Sequence, residues 1–413
     1  MAQLHVSIQR RWKLFLSATI LIGSLFATAF YFVLVTHDLK SFPPDIIRFT
    51  WQSLTAKEKV KEHQKVVLIF WSTFFGSTLE CSIDRPNKYC NNSRLQNCRV
   101  PCEITSNRSR ASEAAAMIVH TRDPYPLPPE TYRNNIPWIL FGVENPVYTP
   151  TLYDKKFLAN FNYLYSYNLE QADFYVASFD KPSVKPLPLP FSKKNGLVLA
   201  VFSHCEAART AYLKELMKYI QVDSYGSCLR NKPTGELAGR SSKDFKKAKT
   251  ELARRYKFTL VFFNQDCDYF VDDQLTHALN AGSVPVYMGT EKIHELMAGN
   301  LRDALIKVKD FKTPKDLAEY LKVVSENENL YNRYLRWKYQ GFNFPANYSS
   351  TKHGLAWARD EEHPYPDYCF VCEKIEEFRG KPMKPAGQIK PEYCKPRKIT
   401  DWLNQLNRTT GVH

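Results

Sequence analysis

Residues 257–290, KFTLVFFNQDCDYFVDDQLTHALNAGSVPVYMGT, place four carboxylates, Asp266, Asp268, Asp272 and Asp273, in a loop and a helix start that carry no cation. Apolar runs on either side read as strands, so the unit is strand, loop, helix, strand, an arrangement that often holds a nucleotide. A carboxylate cluster of this kind suits a hard divalent ion such as Mg²⁺ or Mn²⁺, or sugar hydroxyls. Glu144, in GVENP, lies between an apolar run and a proline turn, where a loop carboxylate is exposed. Arg209 opens a helix after VFSHCEAA. Free N–H groups and the positive dipole end at such a terminus, with a guanidinium beside them, suit a diphosphate. The ten histidines show no metal-ligand spacing.

The elements that position these groups read as an α/β layer fold. KVVLIFWST, AAAMIVHT, IPWILFGVE, FNYLYSY and ADFYVAS are short apolar or aromatic runs divided by Pro- and Asp-rich loops, with a cysteine-bearing insertion from Cys81 to Cys102 after the first. Pro182–Gly196, rich in proline, is the expected interdomain linker. A second set follows: the strand LVLAVFS, the helix ARTAYLKELMKYI, the strand QVDSY and the unit quoted above. Strands alternating with helices imply a parallel, doubly wound sheet. Two such domains facing a cleft make a plausible two-substrate enzyme.

Arg10, Arg11 and Lys13 precede an uncharged run, Leu14–Val35, long enough to span a bilayer and longer than a signal-peptide core. An uncleaved anchor is expected, with residues 1–13 cytoplasmic, 14–35 in the membrane, 36–62 a stem and the remainder lumenal. Ten cysteines suit an oxidising compartment. N-glycan acceptor tripeptides begin at Asn91, Asn107, Asn347 and Asn407. The formal charge of +15 is dispersed among 42 acidic residues. Combined with a lumenal placement, it favours anionic, diphosphate-bearing substrates over nucleic acid. A lumenal sulfotransferase would need a Gly-rich phosphate loop with a lysine after the first strand, and KVVLIFWSTFFGS lacks that lysine.

Three ordered stretches carry a family resemblance: FGVENP with FNYLYSY, VFSHCEAARTAYLKELMKYIQVDSYGSCLRNK, and YKFTLVFFNQDCDYFVDDQLTHALNAGSVPVYMG. Over roughly Trp138–Lys374 the chain resembles the α1,3/4-fucosyltransferases, glycosyltransferase family 10. The resemblance implies two Rossmann-like domains facing a cleft (the GT-B arrangement): residues 63–190 for the acceptor and 191–375 for GDP-fucose, with 376–413 a basic, solvated tail. It implies direct displacement with inversion at the fucose anomeric carbon. Glu144 would be the catalytic base and Arg209 a partner of the donor phosphates. Asn264, Phe270, Asp273 and Gln274 fall at donor-binding positions, and Asn162 and Tyr167 near the cleft. The expected reaction is transfer of L-fucose to O3 of N-acetylglucosamine in N-glycans, in a type II Golgi membrane protein. The alternative is a catalytically impaired, glycan-binding relative.

The donor motif departs from the family pattern. Where the family has Glu-Asn and then Tyr-(Val/Ile)-Thr-Glu-Lys, this chain has Phe263-Asn264 and Phe270-Val271-Asp272-Asp273-Gln274. Loss of one preorganised donor typically costs ~10²–10³ in rate. Arg230, Lys232 or Lys257 could take the lost lysine's place, a divalent metal could bridge the aspartates to the diphosphate, or turnover could be weak. Asp266-Cys267-Asp268 also spells the Asp-x-Asp of metal-dependent glycosyltransferases of the other major fold, although Cys267 and Asp268 already belong to the family pattern. No cofactor is obligatory on this reading. Mn²⁺ or Mg²⁺ stimulation stays open.

The cysteines, Cys81, Cys90, Cys98, Cys102, Cys205, Cys228, Cys267, Cys369, Cys372 and Cys394, read as structural disulfides rather than a zinc or redox site. The family pattern implies that Cys369 and Cys372 bridge back to the first domain. Cys205 and Cys267 each follow a strand and could pair across adjacent loops. Spacing alone does not fix the connectivity.

Overall fold

The computed structural model describes residues 64–80, 95, 98–176, 182–237, 245–297, 299–343, 368–392, 394 and 397–403. The expected anchor and stem, Cys81, Cys90, Asn91, Asn347 and Asn407 lie outside the described residues. Among the described residues no helix is long and apolar enough to cross a membrane.

The first apolar runs form strands because they are buried on both sides. β1 (Val66–Phe70), β2 (Cys102–Thr105), β3 (Ala116–His120), β4 (Trp138–Gly142), β5 (Tyr163–Ser166) and β6 (Phe174–Tyr175) make a parallel sheet, ordered β2-β1-β3-β4-β5-β6. Successive side chains point to opposite faces. Val66, Leu68 and Phe70 join one core with Ile118 and Ile139, while Val67 and Ile69 join another with Met117, Trp138 and Leu140. Continuous hydrophobicity is what two covered faces require. The short strand β2 starts at Cys102, the last residue of the expected cysteine-bearing insertion.

The second sheet follows the same logic. Its elements are β7 (Gly196–Ala200), α1 (Ala207–Leu216), β8 (Val222–Ser224), α2 (Phe245–Arg254), β9 (Tyr256–Phe262), α3 (Asp273–Ala281), β10 (Val284–Met288), β11 (Ile306–Lys307) and α4 (Pro314–Glu326). Tyr212, Leu213 and Leu216 of α1 and Leu317, Leu321 and Val324 of α4 pack on one face of the sheet. Leu275, Ala278 and Leu279 of α3 cover the other. α3 stops at Gly282, whose φ of 64° is the left-handed conformation that a glycine accepts without strain. The parallel order β11-β10-β9-β7-β8 reverses direction between β7 and β9. In open α/β sheets such a reversal opens a crevice at the C-terminal strand ends.

The expected linker is pinned rather than free. Ser183 N–H donates to Asn280 Oδ1 (2.7 Å), and the Lys338 ammonium donates to the Ser183 and Asn280 carbonyls (2.7 and 2.9 Å).

After α4 the chain returns to its beginning. α5 (Tyr368–Phe378) buries Val371, Cys372 and Ile375 against the first sheet. Disulfides Cys98–Cys369 and Cys102–Cys372 fasten it there, in the sense the resemblance implied. Residues 368–375 thus pack with the first sheet, although the boundaries expected from sequence put them with the second.

Two further expectations are corrected. Cys205 does not pair with Cys267; the bonds are Cys205–Cys228 and Cys267–Cys394. Nor is the segment after residue 375 a solvated tail. Cys394 ties it to the loop after β9, and Trp402 is buried against the second core. All eight described cysteines are paired.

Candidate active site

The loops after β4 and β9 meet at their tips. Asn145 Nδ2–H donates to Asn264 Oδ1 (3.1 Å) across the two sheets. Asn145 is fully buried, and its own Oδ1 accepts from Val147 N–H (3.2 Å), closing the proline turn that presents Glu144. Beside this junction lies a polar cavity of about 270 Å³. Its walls come from the ends of β7 and β9, from α1, α2 and the start of α3, which is the crevice where the strand order reverses. Glu144, Arg209, Asn264, Phe270, Asp273 and Gln274 all line it. So do His204 and Lys249, which the motifs did not single out.

Arg209 is held rigidly. Its Nη1 donates to the Phe262 carbonyl (2.8 Å), Nη2 donates to the His204 carbonyl, and the guanidinium lies 5.1 Å from the Phe202 ring centre. Its Nε–H is buried without a partner. Upstream, Glu206 caps α1 by accepting from the backbone N–H groups of Ala208 and Arg209 (both 2.9 Å).

The departures from the family motif have clear structural consequences. Phe263 is fully buried and packs edge-on against Tyr287 (5.4 Å between ring centres) and Phe270 (6.2 Å), forming an aromatic floor. Phe270 in turn meets Tyr167 edge-on at 5.4 Å. Asp272 is the N-cap of α3 and accepts from the Gln274 backbone (2.9 Å) and from Gln274 Nε2 (2.8 Å). Gln274 therefore turns its amide to its own helix cap.

None of the three cations considered from sequence lines the cavity. Lys257 donates to the Ser325 carbonyl (2.6 Å) at the far end of β9. Arg230 Nε donates to the Gly226 carbonyl (3.0 Å), and Lys232 lies 3.4 Å from Asp223 Oδ1.

The four aspartates do not converge. Asp266 is paired with Arg397, Asp268 is exposed on the loop, and Asp272 and Asp273 flank the start of α3. Among the described residues no group of three or more His, Cys, Asp and Glu is placed to hold a metal ion.

Burial and the neighbouring Asp273 carboxylate push Asp272 up to about 7. Burial also opposes ionisation of Asp273, but Lys249, the His277 hydrogen bond and Lys246 outweigh it and hold the group well below its ordinary value. Asp272 thus gains a charge beside the cavity as pH rises through about 7. A diphosphate ligand should be held less tightly above that point. In Asp272→Asn the fall in GDP affinity between pH 6 and 8 should be smaller by roughly 3–30-fold, as expected for one charge a few ångströms off. Calorimetric titration of GDP at the two pH values checks this.

Asn162 and Tyr167 do not line this cavity, although Tyr167 packs behind Phe270. Asn162 Oδ1 accepts from Trp138 N–H (2.9 Å), and its Nδ2 donates to the Lys384 carbonyl (2.8 Å), joining strand ends to the returning chain. Tyr167 Oη donates to Glu392 Oε2 (3.2 Å) in a buried pair. Burial pushes Glu392 up to about 7.

The sign of that shift sets a stability prediction. Between its ordinary value of 4.5 and about 7, the folded state keeps a proton that the unfolded chain has lost. Its contribution to stability is complete below that interval and is lost as pH rises through it. The loss amounts to about 3 kcal/mol. Glu392→Gln should flatten the decline in Tm from pH 5 to pH 8, measured by thermal unfolding.

Asn107 is exposed and caps a short 3-10 helix, accepting from Ser109 N–H (3.1 Å).

Residues 62–178 match the family model described as "Fucosyltransferase, N-terminal". Residues 191–389 match "Glycosyltransferase family 10 (fucosyltransferase) C-term". The chain belongs to glycosyltransferase family 10. Among curated relatives, GDP-fucose protein O-fucosyltransferase 3 of Danio rerio is 29% identical over 389 residues, spanning 86% of this chain and 80% of the relative. The Homo sapiens protein of the same name is 30% identical over 332 residues, spanning 75% and 65%. A solved structure, an α1,3-fucosyltransferase with GDP, aligns with a TM-score of 0.49 and 15% identity over 78% of this chain and 93% of that one. In this family-10 chain the N-terminal match carries Glu144, and the C-terminal match carries Arg209 and the loop after β9.

Proposed function

We propose that this family-10 member is an inverting fucosyltransferase of GT-B architecture that uses GDP-fucose and transfers L-fucose to a protein hydroxyl. The observation that supports it best is the Asn145–Asn264 junction, which brings the Glu144 carboxylate to the same cavity as Arg209. In the reaction, an acceptor oxygen attacks the anomeric carbon from the face opposite the diphosphate. The bond from that carbon to the β-phosphate oxygen breaks, and GDP leaves with the electron pair. The acceptor proton passes to Glu144, a general-base step worth ~10²–10⁴ in rate.

A protein acceptor replaces the N-acetylglucosamine O3 expected from the motifs, because the curated relatives carry the name GDP-fucose protein O-fucosyltransferase 3. The uncharged run Leu14–Val35 after Arg10, Arg11 and Lys13 supports a type II anchor in the Golgi membrane, with the site lumenal.

Linkage analysis of labelled product tests the acceptor. The enzyme is given radiolabelled GDP-fucose with a pool of secreted glycoproteins. Label released by alkaline elimination and resistant to N-glycan-cleaving enzyme supports the reading. Label removed with the N-glycans instead would return the acceptor to N-acetylglucosamine.

A further inference from the structure

Departure of a nucleoside diphosphate builds negative charge on its terminal phosphate, and three acidic side chains, Glu144, Asp272 and Asp273, already line the cavity. Something must offset them. Arg209 already spends one N–H of Nη1 and one of Nη2 on backbone carbonyls, which fixes its guanidinium at the edge of the cavity. Gln274 is turned to Asp272.

Among the described residues lining the cavity, the only ammonium is that of Lys249. It comes from α2, more than a turn of helix away from any motif position, and its side chain is only 13% exposed. The ammonium sits 4.0 Å from Asp273 Oδ1 and 5.5 Å from the Phe245 ring centre. Asp273 is itself fixed from behind. His277 Nε2 lies 3.3 Å from Asp273 Oδ2, and His277 Nδ1 lies 3.1 Å from Thr250 Oγ1, the residue after Lys249. The four side chains tie α2 to α3 in a closed circuit, which aims Lys249 over the first turn of α3.

We propose that Lys249 is the cation that binds the donor diphosphate in this chain, supplied from α2 in place of a lysine on α3 and positioned by Asp273, His277 and Thr250. The inference rests on the fucosyltransferase reading above.

The test is calorimetric binding of GDP and of guanosine to the full chain, as wild type, as Lys249→Met, as Lys249→Gln, and as Lys249→Met combined with Gln274→Lys. Unfolding temperatures are measured alongside. The expected result is GDP binding weakened about 10–100-fold in either single variant, the loss of one hydrogen bond to a charged group. Guanosine binding should be unchanged, and much of the GDP affinity should return with Gln274→Lys. GDP bound within about twofold of wild type by a folded single variant, or an equal loss for guanosine, overturns the assignment of Lys249 alone. A wild-type chain that binds no GDP overturns the fucosyltransferase reading with it.

Discussion

Replacing Arg397 by methionine is expected to destabilise the fold by about 3–5 kcal/mol, because a buried charge network loses its cation. The guanidinium side chain is 1% exposed. Its Nε donates to Asp266 Oδ2 (3.0 Å), Nη2 to Asp266 Oδ1, and Nη1 to both Glu206 Oε2 (3.1 Å) and the Phe263 carbonyl (2.7 Å). Methionine keeps the apolar stem beside Trp402 but leaves two carboxylates facing each other. Glu206 also caps α1 ahead of Arg209, so the loss should reach the donor site as weaker GDP binding. Denaturant unfolding checks the first claim. A change under about 1 kcal/mol would mean that the pairs behave like solvated surface bridges. Exchanging Asp266 for Asn in the same chain should recover part of the loss, since it removes one of the stranded charges.

Glu144→Gln should lower kcat by about 10²–10⁴ while changing GDP affinity little. Glutamine keeps the shape and the hydrogen-bonding reach of the side chain but takes no proton at neutral pH. The turn that carries it is closed by Asn145 and Thr149, whose hydroxyl donates to the Asn145 carbonyl (2.7 Å), so the backbone should not move. Steady-state turnover beside calorimetric GDP binding separates the two effects. A fall in affinity matching the fall in kcat would make Glu144 a binding group rather than the base.

The strands were legible because each is a short apolar run buried on both faces, and that pattern survives in a single sequence. The donor loop was legible for a different reason: Asn264, Cys267 and Asp268 keep their spacing within one strand–loop–helix unit. β2 was hidden, since four residues at the end of a cysteine-rich insertion carry too little periodicity. Arg397 was hidden by composition. A basic, proline-containing segment reads as solvated unless its carboxylate partners are known, and Asp266 is 131 residues away. Lys249 was illegible for a related reason. It reaches the cavity across two helices, and nothing in KKAKTELAR distinguishes a lysine aimed at a ligand from one on a wet face. The cysteine pairing of the second sheet failed on the same ground, because loop adjacency within one sheet could not foresee the returning C-terminal segment.

The most direct measurement is acceptor-dependent GDP release from GDP-fucose by the purified protein, with Glu144→Gln beside it. The account predicts release that depends on added glycoprotein, falls by at least about a hundredfold in the variant, and proceeds without added divalent metal. A folded wild-type chain that binds GDP yet releases none above the variant, across a broad acceptor pool, would contradict it.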